Sequence, residues 1–218
     1  TDEFERVTVL GNRTEGALLM LARYMGVEYE RVRRQLGRLH FHTFTSDRKR
    51  TSTLVNNVNS KGLKTQAKRL YVTGAAEVVL RLCDFHLNVD GISTTKLTDE
   101  LRTELMEDVI GDFAHEGLRT IALAYRVIDD MYGVDWNNPS SIEHTLVLVG
   151  IVGIMDPLRD EVPDSITECL QSGITVRMVT GDSLDTATTI AIRSRLFRKE
   201  DGDLAMEGAD FRRRVTDS

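Results

Sequence analysis

Proline, cysteine and tryptophan are scarce in this 218-residue chain, with three, two and one copies. So few prolines, beside 28% charged and 41% hydrophobic residues, exclude a fibrous or a disordered chain. Cys83 and Cys169 lie far apart and match no metal or redox spacing. That excludes a disulfide framework and a zinc ribbon, and two reduced, partly buried thiols are expected. No run reaches the roughly 18 apolar residues of a membrane span. The most apolar stretch, 145–155, has the length of a buried strand. Residues 1–5 have neither the basic start nor the apolar run of a signal peptide. These absences point to a soluble globular chain, long enough to bury one core and part of a second, and a monomer is expected.

Charge is present but unevenly spread. Residues 1–81 carry 15 Lys and Arg against 8 Asp and Glu, whereas residues 82–218 carry 13 against 26. A net charge of −6 argues against nucleic acid as a partner. The basic first part suits a small polyanion such as a nucleoside triphosphate.

Hydrophobic periodicity predicts a helix over 14–25, with Leu18, Leu21, Ala22 and Met25 on one face, Asn12 or Thr14 as cap and Gly26 as stop. A shorter charged helix follows over 28–36. Strands are expected over 40–44, 51–58 and 69–72, with a polar loop from Asn59 through Lys61 to Lys64. Residues 74–82 read as helical. Residues 98–115 read as one amphipathic helix with Leu101, Leu105, Val109 and Phe113 aligned. A strand over 118–127 leads to a polar loop over 129–141. After residue 145 the rhythm becomes strand, helix, strand, helix (145–155, 160–171, 174–179, 185–195), as in a parallel doubly wound sheet. A domain boundary is expected near 142–156, and the charged tail after Phe197 is expected to be partly disordered.

Two short motifs carry phosphate chemistry. In Ile174-Thr175-Val176-Arg177-Met178-Val179-Thr180-Gly181-Asp182-Ser183 an apolar run ends in Thr-Gly-Asp before a helix. Gly181 allows a sharp turn close to an anion, Thr180 offers a hydroxyl, and the helix start offers free N–H groups. The competing reading is that Asp182 or Ser183 only caps the helix. Upstream, Pro157 forces Asp156 out of helical geometry, so Asp156-Pro157-Leu158-Arg159 is a bend after a strand.

Together these motifs resemble the P-type ATPase family. There the first forms part of the hinge between nucleotide-binding and phosphorylation domains. The second belongs to the phosphorylation domain, which has a haloacid dehalogenase-like fold. Four further segments resemble the family in the right order: Gly11-Asn12-Arg13-Thr14-Glu15-Gly16-Ala17-Leu18, Phe44-Thr45-Ser46-Asp47-Arg48-Lys49-Arg50-Thr51-Ser52, Tyr71-Val72-Thr73-Gly74-Ala75-Ala76-Glu77, and Gly117-Leu118-Arg119-Thr120-Ile121-Ala122. The wording is most similar to plasma-membrane-type calcium pumps.

The resemblance implies an α+β nucleotide-binding domain over 1–145, an antiparallel sheet flanked by helices. It implies that 146–218 is an incomplete α/β haloacid dehalogenase-like segment, hinged near 154–160 at Asp156, Pro157 and Arg159. It implies ATP as ligand, with Mg2+ in the parent enzyme, and phosphorylation, actuator and transmembrane domains of the same parent as partners at the cytosolic face of a membrane. Periodicity does not separate Phe41 from Phe44; the family pattern selects Phe44 to stack on adenine, a contact worth about 1–3 kcal/mol. Glu15 would accept from the adenine amino group, and Arg119 would reach the ribose or phosphates. Ser46, Thr73 and Gly74 would complete the pocket, with Arg48 and Lys49 at its rim. Thr180, Gly181 and Asp182 would form the phosphate side.

Three departures bear on affinity. Thr73 stands where the family usually has lysine, Thr51 where it often has methionine, and Ser46 where some members have arginine. A hydroxyl does not replace a positive charge, so ATP binding is expected to be weak, in the millimolar range of about 4 kcal/mol. The family's Asp-Lys-Thr-Gly-Thr and Gly-Asp-Gly-x-Asn-Asp sequences are absent. No catalytic residue and no metal ligand is therefore assigned here, and covalent phosphorylation is expected only in the parent. Two other readings stay open: an interaction module impaired in nucleotide binding, and a haloacid dehalogenase-like phosphatase using Thr180 and Asp182.

Overall fold

The computed structural model describes residues 12–59, 62–129, 132, 134–155 and 158–216. Of the residues singled out above, Gly11, Lys61, Asp156 and Pro157 lie outside the described residues. Asn12 caps helix α1 (Arg13–Tyr24), its Oδ1 accepting the Thr14 N–H at 2.9 Å. Gly26, at φ +76°, supplies the left-handed residue that ends the turn. Helix α2 (Tyr29–Leu36) stops at Gly37, which also has a positive φ of 67° but an extended ψ of 126°.

Strands β1 (Arg38–His42), β2 (Arg50–Val58) and β3 (Lys64–Ala75) pair antiparallel in succession. Leu70, Val72 and Gly74 alternate into the core along β3. Because this ladder runs on to Arg50 opposite Gly74, the helix expected over 74–82 shortens to α3 (Ala76–Leu80). Two strands were not legible in the sequence: β4 (Cys83–Leu87) and β5 (Thr94–Lys96), an antiparallel hairpin. Its polar loop is closed by Asp90, whose Oδ1 accepts the N–H groups of Ile92 and Ser93.

Thr98 caps α4 (Asp99–Glu104), which runs through a π-helical segment, Leu105–Ile110, into α5 (Gly111–His115). The wider π turn rotates the apolar face by part of a residue. Ile110 and Ala114 are therefore the buried positions, rather than Val109 and Phe113 of the expected stripe. Strand β6 (Arg119–Ile128) and strand β7 (Leu146–Ile154) follow. Among the described residues the sheet has seven strands in the order β1-β2-β3-β6-β7-β4-β5. The expected all-antiparallel sheet is corrected here: β4 and β7 run parallel, so the sheet is mixed, within an α+β architecture. A parallel pair needs a long crossover, and the chain between these two strands, holding α4, α5 and β6, supplies it.

Helices α6 (Val162–Gln171) and α7 (Leu184–Arg193) match their expected positions. The strand expected over 174–179 does not form, and residues 174–180 have no regular structure. An extended segment becomes a strand only when a neighbour takes its N–H and C=O groups. Strand β7 already has β6 on one edge and β4 on the other, and no described strand pairs with 174–180. Ile174 and Val179 remain exposed as a result. The tail expected to be partly disordered instead carries helix α8 (Gly208–Thr216). No helix among the described residues is long and apolar enough to cross a membrane.

The described residues fall into two compact units, one drawn from Thr1–Lys96 and Ala122–Gly150, the other from Leu97–Ile121 and Ile151–Ser218. The first has its core at Leu54, Leu70, Val72, Leu80, Cys83 and Leu146; the second at Ile110, Ala114, Leu118, Ile121 and Ala191. Neither Cys83, which is buried, nor Cys169, which is half-buried, is in a disulfide, and the Cys83 thiol donates to Val79 O at 3.2 Å.

Candidate functional site

In the first unit two of the singled-out segments meet. Phe44 follows β1 with 54% of its surface exposed. Beyond it the chain turns: the Lys49 N–H donates to Thr45 O at 2.8 Å and the Arg48 N–H to Thr45 Oγ1 at 3.3 Å. Lys49 adopts a left-handed φ of 51°, costly for a residue with a side chain, and delivers the chain into β2. There Arg50 faces Gly74 and Thr51 faces Thr73. The Ala75 N–H closes the corner on Lys49 O at 2.9 Å. Gly74 allows this approach, because a Cβ there would lie 2.4 Å from Lys49 O. The turn carrying Phe44 and Ser46 therefore adjoins the strand end carrying Thr73 and Gly74. Thr51 Oγ1 donates to Thr73 O at 3.4 Å, so two of the three departures from the family pattern are cross-strand partners. Glu15 is exposed on the first turn of α1 and shares no described hydrogen bond or ion pair with this group.

Sequence reasoning missed Glu143. Its side chain is fully buried and accepts Arg48 Nη2 at 2.5 Å and Ser52 Oγ at 2.6 Å on Oε1, and Arg50 Nε at 2.7 Å on Oε2. Arg48 thus faces an internal carboxylate rather than only the rim. Nothing local marks Glu143, an acid before an apolar strand; its partners come from a distant part of the chain.

His42, at the end of β1, belongs to the same neighbourhood. Burial lowers its pKa from the ordinary value, helped by the nearby charges of His40 and Arg48. Glu143 and a hydrogen bond with the Trp136 backbone act in the opposite direction. The His40 and His42 rings lie 4.6 Å apart. With a folded pKa below the unfolded one, the unfolded chain binds more protons through that window. Stability is then full above the unfolded pKa near 6.5 and is lost as pH falls towards the folded value. His42→Gln is expected to flatten this part of the acid limb, read as urea midpoints between pH 7 and 5.

In the second unit Arg119 meets Asp182, and through it Thr180, two of the residues expected on the phosphate side. Its Nε donates to Asp182 Oδ1 at 3.0 Å and its Nη2 to Oδ2 at 3.3 Å. The Thr180 hydroxyl donates to Asp182 Oδ2 at 3.0 Å and accepts the Asp182 N–H at 3.1 Å. Ser183 is the cap of α7, its Oγ accepting the Thr186 N–H, so Asp182 is left for the ion pair. A cavity of about 350 Å³ opens here, lined by Arg119, Asp182 and Arg159, with Ile154 and Ile190 among its apolar walls. A Cβ at Gly181 would meet nothing within 4 Å, so this side is open. Two guanidinium groups against one carboxylate favour an anion. Arg119 is thus a neighbour of Thr180 and Asp182, whereas Phe44, Ser46, Thr73 and Gly74 form their own group in the first unit.

The exposed Phe44 ring offers a flat apolar face of the kind that stacks on a base, and Arg119 and Arg159 give the cavity two cationic groups of the kind that meet phosphate oxygens. Among the described residues no three His, Cys, Asp or Glu side chains converge.

A family model described as P-type ATPase, cytoplasmic domain N, matches residues 1–161. The chain is 38% identical over 209 residues to plasma membrane calcium-transporting ATPase 4 of Homo sapiens, covering 94% of this chain and 16% of that protein. It is 41% identical over 212 residues to calcium-transporting ATPase PAT1 of Dictyostelium discoideum, covering 95% and 17%. It is 38% identical over 212 residues to plasma membrane calcium-transporting ATPase 1 of Gallus gallus, covering 94% and 17%. The chain therefore spans about a sixth of the length of these relatives.

Proposed function

This chain belongs to the P-type ATPase family, and from that premise we propose that it is the ATP-binding cytoplasmic module of a calcium-transporting pump. In this reading residues 1–145 are the nucleotide-binding domain and 146–218 begin a haloacid dehalogenase-like phosphorylation domain, joined by a hinge near 154–160 that includes Asp156, Pro157 and Arg159. Adenine stacks on Phe44, with Glu15, Ser46, Thr73 and Gly74 around it. Arg119 and the Thr180-Gly181-Asp182 turn serve the phosphates. The module presents ATP to an aspartate of the parent protein, which supplies magnesium binding, phosphoryl transfer and ion transport. The names of the relatives support calcium as the transported ion.

The observation that carries the proposal is the juxtaposition of the Phe44–Ser46 turn with Thr73 and Gly74 through the Arg50–Gly74 register. Two segments distant in sequence and both similar to nucleotide-contacting segments of the family share one corner. The test is an NMR titration of the chain with AMP and with ATP, with and without magnesium. Shifts are expected at Glu15, Phe44, Thr73 and Gly74 with AMP, extending to Arg119 with ATP. Phe44→Ala is expected to weaken AMP binding about tenfold, the loss of one stacking contact. The absence of AMP-induced shifts near Phe44 in the unsubstituted chain would sink the reading.

One observation favours a second reading. The Thr51–Thr73 pair puts two hydroxyls where the family pattern has a cation opposite methionine. That supports an interaction module whose nucleotide affinity has been lost, and saturating ATP would then leave the Phe44 signals unmoved.

A further inference from the structure

We propose that Glu143 is a positioning residue for the adenine subsite, holding the Phe44-bearing turn in its binding shape through Arg48. The proposal rests on the reading of Phe44 as the base platform given above. The geometry points to it because Arg48 bridges two things. One side of its guanidinium meets Glu143 Oε1 at 2.5 Å, while Nη1 donates to the carbonyl of Thr43, directly before Phe44, at 2.8 Å. The Arg48 N–H is also held, donating to Thr45 Oγ1 at 3.3 Å. Residues 43–48 therefore form a closed turn tied to one internal carboxylate.

The second oxygen of Glu143 holds the other side of the Lys49 kink. Oε2 accepts Arg50 Nε at 2.7 Å, and Arg50 Nη1 donates to Arg48 O at 3.1 Å. The left-handed residue, φ 51°, is thus bracketed by two arginines on the same carboxylate. Strained backbone persists where its surroundings over-determine it. Glu143 has no exposed side-chain surface, so it does not touch a ligand itself. Its effect is on the turn: a turn already ordered before binding does not spend interaction energy on becoming ordered. The carboxylate reaches this place from the loop before β7, so the adenine platform depends on a residue from the far end of the first unit.

The experiment uses the full 218-residue chain and the variants Arg48→Met, Glu143→Gln and Ser52→Ala. Amide hydrogen exchange over 43–49 reports the turn without ligand, and AMP titration reports the subsite. Arg48→Met and Glu143→Gln are expected to speed exchange over 44–49 about tenfold and weaken AMP binding about fivefold, with β3 and β6 amides still protected. Ser52→Ala removes a bond to Glu143 without touching the turn and is expected to stay within about twofold of the unsubstituted chain in both. If Glu143→Gln does not fold, Arg48→Met, whose side chain is partly exposed, carries the test. Unchanged exchange in Arg48→Met overturns the proposal, as does faster exchange with unchanged AMP affinity. Absence of AMP binding in the unsubstituted chain overturns the nucleotide reading and the positioning role with it. The exchange data then separately report whether the Glu143–Arg48 link orders the turn.

Discussion

Glu143→Ala is expected to lower the unfolding free energy by about 3–5 kcal/mol, because it leaves buried charge without a partner. The Arg48 and Arg50 side chains are only 20% and 14% exposed, and Glu143 is not exposed at all. Removing the carboxylate strips both guanidinium groups of their counter-charge, and the buried Ser52 hydroxyl loses its acceptor. Most domains have only about 5–15 kcal/mol in total, so the loss is a large share of the whole. The interaction is strong only in this asymmetric sense. Replacing all three charged residues by apolar ones of similar size, as in Arg48→Met with Arg50→Leu and Glu143→Leu, is expected to recover most of the stability. Urea unfolding of the single and triple variants checks both halves. A single-variant loss below about 1 kcal/mol would mean that water reaches the arginines, contrary to the buried geometry.

Gly74→Ala is expected to cost roughly 3 kcal/mol through overpacking. The added Cβ would stand 2.4 Å from Lys49 O, 2.5 Å from Arg50 Cβ and 2.6 Å from Arg50 Cα. These are main-chain and near-main-chain atoms, so no side-chain rotation relieves the clash. The end of the β2–β3 ladder has to open, and with it the hydrogen bond from the Ala75 N–H to Lys49 O. Gly150→Ala in β7 is the control, since a Cβ there meets nothing within 4 Å. It is expected to be neutral or slightly stabilising, as an alanine loses less backbone freedom than a glycine on folding. Equal urea midpoints for the two variants would overturn the steric account. Because the opened ladder also carries the Phe44 turn, Gly74→Ala is further expected to scatter the amide signals of 44–51.

The legible parts of the fold were those governed by neighbours in sequence. Asn12 before an apolar stripe and Gly26 after it delimit α1; Thr98 starts α4; the β-branched run 51–58 forms β2. The hairpin of β4 and β5 was missed because its strands are short and one is fully exposed, so neither alternation nor apolar content marks them. The expected strand over 174–179 failed for the opposite reason, its composition being right and its partner missing. In the candidate site, the motif order singled out Phe44, Ser46, Thr73 and Gly74. It also singled out Arg119, but not its ion pair with Asp182, which joins residues from two elements.

By itself the sequence determined the family, the caps and turns, and the segments carrying Phe44 and a Thr-Gly-Asp corner. Each of these is written in residues a few positions apart, where side-chain and backbone preferences act directly. The tertiary structure alone decided why Gly74 admits no side chain, which strands found edges to pair with, and that Glu143 is the internal counter-charge of Arg48 and Arg50. Those outcomes depend on which distant groups lose water together, and local sequence carries no record of that.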